Sequence, residues 1–293
     1  MPVDAGFLEQ LKELQLITRK KVSSAYSGGR ASITYGRGIE PVDHREYFPG
    51  DDFRLIDWKV YSRTEKLYIR RFEEERDLTL HILVDASSSM DFAHRGMRKF
   101  DYAGSLAVAF EFVQINANEK FAHALFSERL RDVLAPNKGK HHLFKAIQLI
   151  NHATLSGSTR MDVCAAQYTK MIKTKSYIVV LSDFMEPLDA LENGLYRMAK
   201  HSKEMAIVQV LDPSEIELAW GDDVKFEDIE TGAADTTYLS PHFKRNYHSK
   251  VEEHNAAVQG ICEDIGADFH QVTTDQQLLS AFIGIMGGGT HHG

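Results

Sequence analysis

Residues 78–84 read L-T-L-H-I-L-V and follow a charged stretch, E-E-E-R-D. A short continuous apolar run has no polar face to give to water, so it predicts a strand buried on both sides of a sheet. Such a sheet must be covered on both faces, and the residues downstream supply the covers. Ala103, Leu106, Ala107, Phe110 and Val113 fall at helical spacing within 98–117. Strands are expected at 120–126, 176–181 and 206–211, with helices at 141–152, 161–173 and 187–201 between them. Residues 242–265 read as a further helix, 271–272 as a possible last strand and 275–286 as a last helix. Strands alternating with helices predict an α/β fold with a doubly wound, mostly parallel sheet.

Two regions depart from that rhythm. In the first, residues 7–26 carry Leu8, Leu11, Leu14, Leu16 and Ile17 at roughly helical spacing, followed by the turn-like S-G-G-R-A-S. Residues 33–75 have β character: Tyr68, Arg70 and Phe72 alternate with Ile69, Arg71 and Glu73, and F-P-G-D-D marks a turn. The second region, 214–240, contains D-V-K-F-E-D-I-E-T-G, an alternating run ending in a glycine turn, and predicts an inserted hairpin. The expected division is 1–77, an N-terminal helix plus β-rich segment, and 78–293, the α/β domain with the insertion. Neither β region has enough apolar residues for a core of its own, so together they are expected to form one β-rich subdomain. Arg45, Asp51, Asp52, Arg54 and Asp57 read as an ion-pair lock between this segment and the sheet domain, with Ile56 and Trp58 as anchors into a core, or alternatively as a partner surface. The tail, G-G-G-T-H-H-G, is expected to fray.

Composition narrows the class. The 293 residues are 43% apolar and 26% charged, ordinary for a globular chain of one large or two modest domains. The formal net charge of −8 argues against a nucleic-acid partner. The basic group Arg19, Lys20, Lys21 and Arg30 reads as a solvated face. No stretch reaches the ~18–20 apolar residues of a membrane span. The start, M-P-V-D-A-G-F-L-E-Q, lacks the basic and apolar regions of a signal peptide, so a cytoplasmic setting is expected. Cys164 and Cys262 lie in helix-like patterns, neither in a C-x-x-C, and read as small core residues.

The chemistry gathers at strand ends. The run at 78–84 stops in Asp85, followed by A-S-S-S-M-D-F. In open parallel sheets, ligands bind just beyond the carboxyl ends of the strands. Ser87 and Ser89 alternate with Asp85, so all three can converge above that edge. The strand at 176–181 ends in S-D-F and delivers Asp183, while S-G-S-T, 156–159, offers Thr159 or Ser158. Carboxylates with hydroxyls form a hard, all-oxygen set suited to Mg²⁺ or Mn²⁺. A helix N-cap alone would also explain D-A-S-S-S, but not the additional Thr159 and Asp183. A haloacid-dehalogenase-type phosphatase resembles D-x-D, and position 87 is Ser. G-x-S-x-G, a P-loop and H-E-x-x-H are all absent, and the adjacent pairs His141–His142 and His291–His292 do not suggest zinc. No separate general base is evident near these loops, which favours a non-enzyme over a metal-dependent hydrolase using the same oxygens.

D-A-S-S-S resembles the D-x-S-x-S motif of von Willebrand factor A domains, and Thr159 and Asp183 fit the later elements of their metal-ion-dependent adhesion site. The flanks R-E-Y-F-P-G-D-D-F-R-L-I-D-W and S-R-T-E-K-L-Y-I-R-R-F-E-E-E-R-D, with L-D-P-S-E and F-E-D-I-E-T-G, resemble the bacterial domain of unknown function 58 family. The resemblance implies a von Willebrand factor A-like fold. It implies that Ser87, Ser89 and Thr159 coordinate Mg²⁺ or Mn²⁺, that Asp85 and Asp183 hold it directly or through water, and that the open position takes a carboxylate from a partner protein. It also implies work beside a MoxR-type AAA+ ATPase in a chaperone-like or assembly role. Metal loops of this kind often read G-G-T; Ser158 replaces the second glycine here, which leaves the register of Thr159 against Ser158 open.

Overall fold

The structure is a computed structural model and describes residues 35–48, 51–73, 79–94, 96–174, 176–216, 223–227, 234–238 and 241–287. The helix expected at 7–26, the basic group near 19–30 and the C-terminal tail lie outside the described residues. The chain divides into compact units at the junction of Asp77 and Leu78, one of them 23–77.

In the smaller unit β1 (Tyr35–Glu46) pairs antiparallel with β2 (Tyr68–Glu73), with register shifts around Pro41. Proline cannot donate to a ladder, so an irregularity there is expected. A 3₁₀ turn (Phe53–Leu55) and α1 (Trp58–Thr64) separate the two strands. Asp52 accepts from Arg54 N–H at 2.9 Å, and Asp57 caps α1 by accepting from Lys59 N–H at 2.9 Å and Val60 N–H at 3.2 Å. Asp52 and Asp57 are used here as local caps. Ile56 bridges to Ile69 and both are 5% exposed. Trp58, expected as a second anchor, is 61% exposed. It opens the short capped helix, and its ring meets Tyr61 edge-on with centroids 6.1 Å apart.

The larger unit holds a six-stranded sheet in the order β10-β7-β6-β3-β4-β5: β3 (Leu80–Asp85), β4 (Phe121–Phe126), β5 (Leu130–Asn137), β6 (Ser176–Ser182), β7 (Ser202–Leu211) and β10 (Asp268–Thr273). All neighbours are parallel except β4 and β5. Side chains alternate in a strand, so its apolar residues divide between two layers. Ile82, Val84, Val179, Leu181, Val208 and Val210 join α2 (Lys99–Asn116), α3 (Lys140–Asn151) and α8 (Leu278–Met286) on one face. Leu83, Ile178, Val180 and Ile207 join α4 (Met161–Tyr168), α5 (Leu188–Ala199) and α7 (Pro241–Ile265) on the other. Cys164 and Cys262 are both buried in this second layer.

β5 has no counterpart in the sequence reading. It is a charged edge strand, closed onto β4 across Phe126 and Leu130, and a half-wet edge leaves no continuous apolar run to read. The inserted hairpin is present as β8 (Asp223–Glu227) and β9 (Ala234–Tyr238). Its strands pair only with each other, in a sheet separate from β1 and β2, and it groups with the larger unit. Among the described residues these are two separate two-stranded ladders. Among the described residues no helix is long and apolar enough to cross a membrane.

Candidate metal centre

β3 and β6 are neighbours, and the chain leaves them toward opposite sides of the sheet, β3 to β4 and β6 to β7. That is the switch point where the following loops part and leave a crevice. Asp85 ends β3 and Asp183 immediately follows β6. Two backbone bonds tie the loop after β3 to the loop before α4: Ser88 N–H to Gly157 C=O at 2.9 Å, and Ser156 N–H to Ala86 C=O at 3.1 Å. Gly157 has φ +79°, a conformation glycine adopts without a Cβ penalty. Thr159 is thereby carried over Asp85.

The side chains then interlock. Asp85 Oδ1 accepts from Ser87 N–H at 2.8 Å, while Oδ2 accepts from the Thr159 hydroxyl at 2.9 Å and the Ser182 hydroxyl at 2.6 Å. The Ser87 and Ser89 hydroxyls lie 3.1 Å apart. Ser87 stands at the N-cap of a 3₁₀ turn (Ser88–Asp91) but makes no side-chain cap bond, so capping does not employ its hydroxyl. Asp85 and Ser87 are 0% exposed, Asp183 1% and Thr159 6%. Thr159, rather than Ser158, supplies the hydroxyl bonded to Asp85.

Three further residues escaped the sequence reading. Ser182 donates to Asp85 and accepts from Phe184 N–H at 3.0 Å, bracing a turn in which Phe184 holds φ +53° while fully buried. Lys99, the first residue of α2, places its Nζ 2.8 Å from Asp183 Oδ2 and 2.7 Å from Glu215 Oε1, with its side chain 1% exposed. Glu186 accepts from Met161 N–H at 3.0 Å through Oε2, while its buried Oε1 has no partner. Only Ser182 stood inside a quoted motif; Glu186 follows Asp183 in the same loop after β6, whereas Lys99 reaches Asp183 from the start of α2, a contact that no local pattern encodes. Glu186 also corrects the expectation that no separate acid–base group lies near these loops.

Electrostatics follow from burial. Burial first, then the Asp183 charge, raises the Asp85 carboxyl above its ordinary range. Burial pushes Asp183 up as well, but the Lys99 ammonium overcomes this and holds it below the ordinary range. Glu186 is pushed up to about 7, by burial first and then by Asp85, Asp162 and Asp183. A native pKa above the unfolded value means stability present below about pH 4.5 and lost as pH rises through 7. Glu186→Gln is therefore expected to flatten the fall of metal-free stability between pH 5 and pH 8, by up to about 3 kcal/mol. Parallel melts across that range check it, and identical slopes for both proteins contradict it.

The donor set fits a hard divalent cation. Three hydroxyls and two buried carboxylates meet at one strand edge, and because the Lys99 ammonium is shared by Asp183 and Glu215 rather than by Asp85, negative potential is left for a dication. Three buried histidines are placed elsewhere: His81 Nδ1 lies 2.8 Å from Tyr168 Oη, His123 Nδ1 2.6 Å from Glu111 Oε1, and His142 Nε2 3.1 Å from Phe121 C=O, while His254 Nε2 bonds Phe184 C=O at 2.7 Å, beside Asp183. Among the described residues no three His, Cys, Asp or Glu side chains gather as a metal-holding group.

A six-stranded, mostly parallel sheet between helices, with an Asp–Ser–Ser loop at its switch point, defines a von Willebrand factor A-like domain. The chain belongs to the family described as "Protein of unknown function DUF58", whose model matches residues 43–257. An uncharacterized protein of Mycobacterium tuberculosis is 25% identical over 283 residues, 96% of this chain and 89% of that protein. The crystal structure of BatB from Bacteroides thetaiotaomicron matches 71% of this chain and 98% of its own at 15% identity and TM-score 0.50. An aerotolerance-related membrane protein from Bacteroides fragilis matches 71% and 96% at 14% identity and TM-score 0.51. At these identities the likeness concerns the fold.

Proposed function

We propose that this chain is a protein-interaction module whose crevice holds Mg²⁺ or Mn²⁺ and receives a carboxylate from a protein partner. Ser87, Ser89 and Thr159 would hold the ion, with Asp85 and Asp183 supporting it directly or through water. The ion would supply a positive, coordinatively open point for an incoming Asp or Glu. The observation carrying this reading is Asp85 itself: wholly buried, fixed by two hydroxyls and one N–H, and close enough to Asp183 for their charges to oppose each other. Lys99 meets Asp183 and Glu215 rather than Asp85, so a divalent cation would still serve the Asp85–Asp183 pair. Following the family resemblance, the partner is a MoxR-type AAA+ ATPase or its client, met in the cytoplasm.

Ser87→Ala, Ser89→Ala and Thr159→Ala are each expected to weaken capture of the purified ATPase at least about tenfold, while each costs the fold about 1.5–3 kcal/mol, because each removes a hydroxyl bonded to a buried carboxylate. Chelator should act like the substitutions. Capture that survives chelator and all three variants contradicts the metal mechanism.

Glu186 favours a second reading. A buried carboxyl with a free oxygen and a pKa near neutrality is the acid–base group a metal-dependent hydrolase requires. Metal-dependent turnover of a phosphate or carboxylic ester by the chain alone, lost in Glu186→Gln, would select that reading over the module.

A further inference from the structure

The motif L-D-P-S-E, 211–215, plays no part in the proposed coordination, yet it closes around the same crevice. Asp212 Oδ1 accepts from Ser214 N–H at 2.9 Å and the Ser214 hydroxyl at 2.6 Å, while Oδ2 accepts from His94 N–H at 2.9 Å. Glu215 Oε2 accepts from Asp212 N–H at 2.8 Å, which leaves Oε1 facing Lys99 at 2.7 Å. Lys99 N–H donates to Phe92 C=O at 3.1 Å, and Lys99 Nζ lies 5.8 Å from the Phe92 ring centroid. The segment after β7, which includes α6 (Pro213–Ile216), the serine loop after β3 and the loop after β6 thus meet at one buried ammonium.

That ammonium occupies Asp183 Oδ2 at 2.8 Å. Asp183 Oδ1 accepts from Met185 N–H at 3.3 Å. Both oxygens of one proposed support are engaged in the metal-free protein. A dication approaching Asp183 meets a fixed positive charge one carboxylate away, and in a dry site the repulsion is barely screened. Glu215 opposes this, because it shares the ammonium and adds a negative charge.

We infer that Lys99 is an interior counter-cation that sets the divalent-cation affinity of this site, competing with the ion for Asp183, with Glu215 governing how firmly it competes. The inference rests on the metal-site reading above. The free protein then holds the ion loosely, and an incoming partner carboxylate restores the charge that Lys99 has cancelled. Ion and partner therefore bind cooperatively.

Two substitutions, neither of them at a proposed metal-holding residue, should move affinity in opposite directions. In calorimetric titrations of the full chain with Mn²⁺ alone, Lys99→Met is expected to bind about tenfold tighter than the parent, equivalent to about 1.4 kcal/mol. Glu215→Gln is expected to bind several-fold weaker, and Lys99→Arg, which keeps the charge, should stay near the parent. A merely structural role would weaken all of them. If Lys99→Met unfolds without metal, Mn²⁺ restoring a cooperative melt supports the inference, and failure to restore it overturns it. Equal affinities across the Lys99 and Glu215 variants, with binding still lost in Ser87→Ala, would overturn the role of Lys99 and leave the site standing. Mn²⁺ binding indifferent to Ser87→Ala, or none in any variant, would remove the site and the inference together.

Discussion

Gly194→Val is expected to lower the melting temperature of this protein by about 6–12 °C, the equivalent of roughly 3 kcal/mol for a domain of this size. Gly194 lies in α5 where that helix crosses the start of α4. A Cβ there would stand 2.7 Å from the carbonyl carbon of Met161, 2.8 Å from its oxygen and 2.5 Å from its Cγ. The side chain can rotate away, but the backbone cannot: Met161 N–H is held by Glu186 and Cys164 N–H by Arg160 C=O. The strain then passes to Thr159, two residues upstream, so the hydroxyl on Asp85 should be displaced too. Gly260→Ala is the counterpart. Gly260 lies within α7 with open space at the Cβ position, and helix propensity alone should stabilise it by about 0.5–1 kcal/mol. Thermal melts of both variants check the pair; a Gly194→Val protein as stable as its parent would mean α4 and α5 can separate freely.

The second large effect concerns the buried ion pair. Asp183→Ala leaves Lys99 with Glu215 alone and Met185 N–H without its acceptor, and breaking a buried pair from one side costs about 3–5 kcal/mol. Denaturant unfolding in the absence of metal measures it. A loss below about 1 kcal/mol would show that Glu215 satisfies the ammonium unaided.

How much of this was readable beforehand differs by region. The central strands were legible because each is apolar on both faces: Ile82 and Val84 pack one way and Leu83 the other, so no alternation is left to mislead. β5 was not, because its charged residues are those of a solvated edge. Asp85, Ser87, Ser89, Thr159 and Asp183 could be named because each sits at a strand or loop end where ligands collect. Lys99 could not. A lysine at a helix start reads as solvent-facing, and only the folding of α2 over the ends of β3 and β6 turns it inward. Trp58 failed in the opposite sense: a large aromatic beside a buried isoleucine suggests a core, yet the Asp57 cap begins a helix that carries it outward.

The central claim, that the crevice binds a divalent cation, is tested most directly by the melting temperature of the parent and of Asp85→Ala in chelator and in saturating Mg²⁺. At about 100 times the dissociation constant, an ion that binds only the native state adds about 2.7 kcal/mol, or roughly 5–11 °C. The account predicts that rise in the parent and none in Asp85→Ala. A parent melt indifferent to Mg²⁺ and Mn²⁺, or an equal rise in the variant, would contradict it.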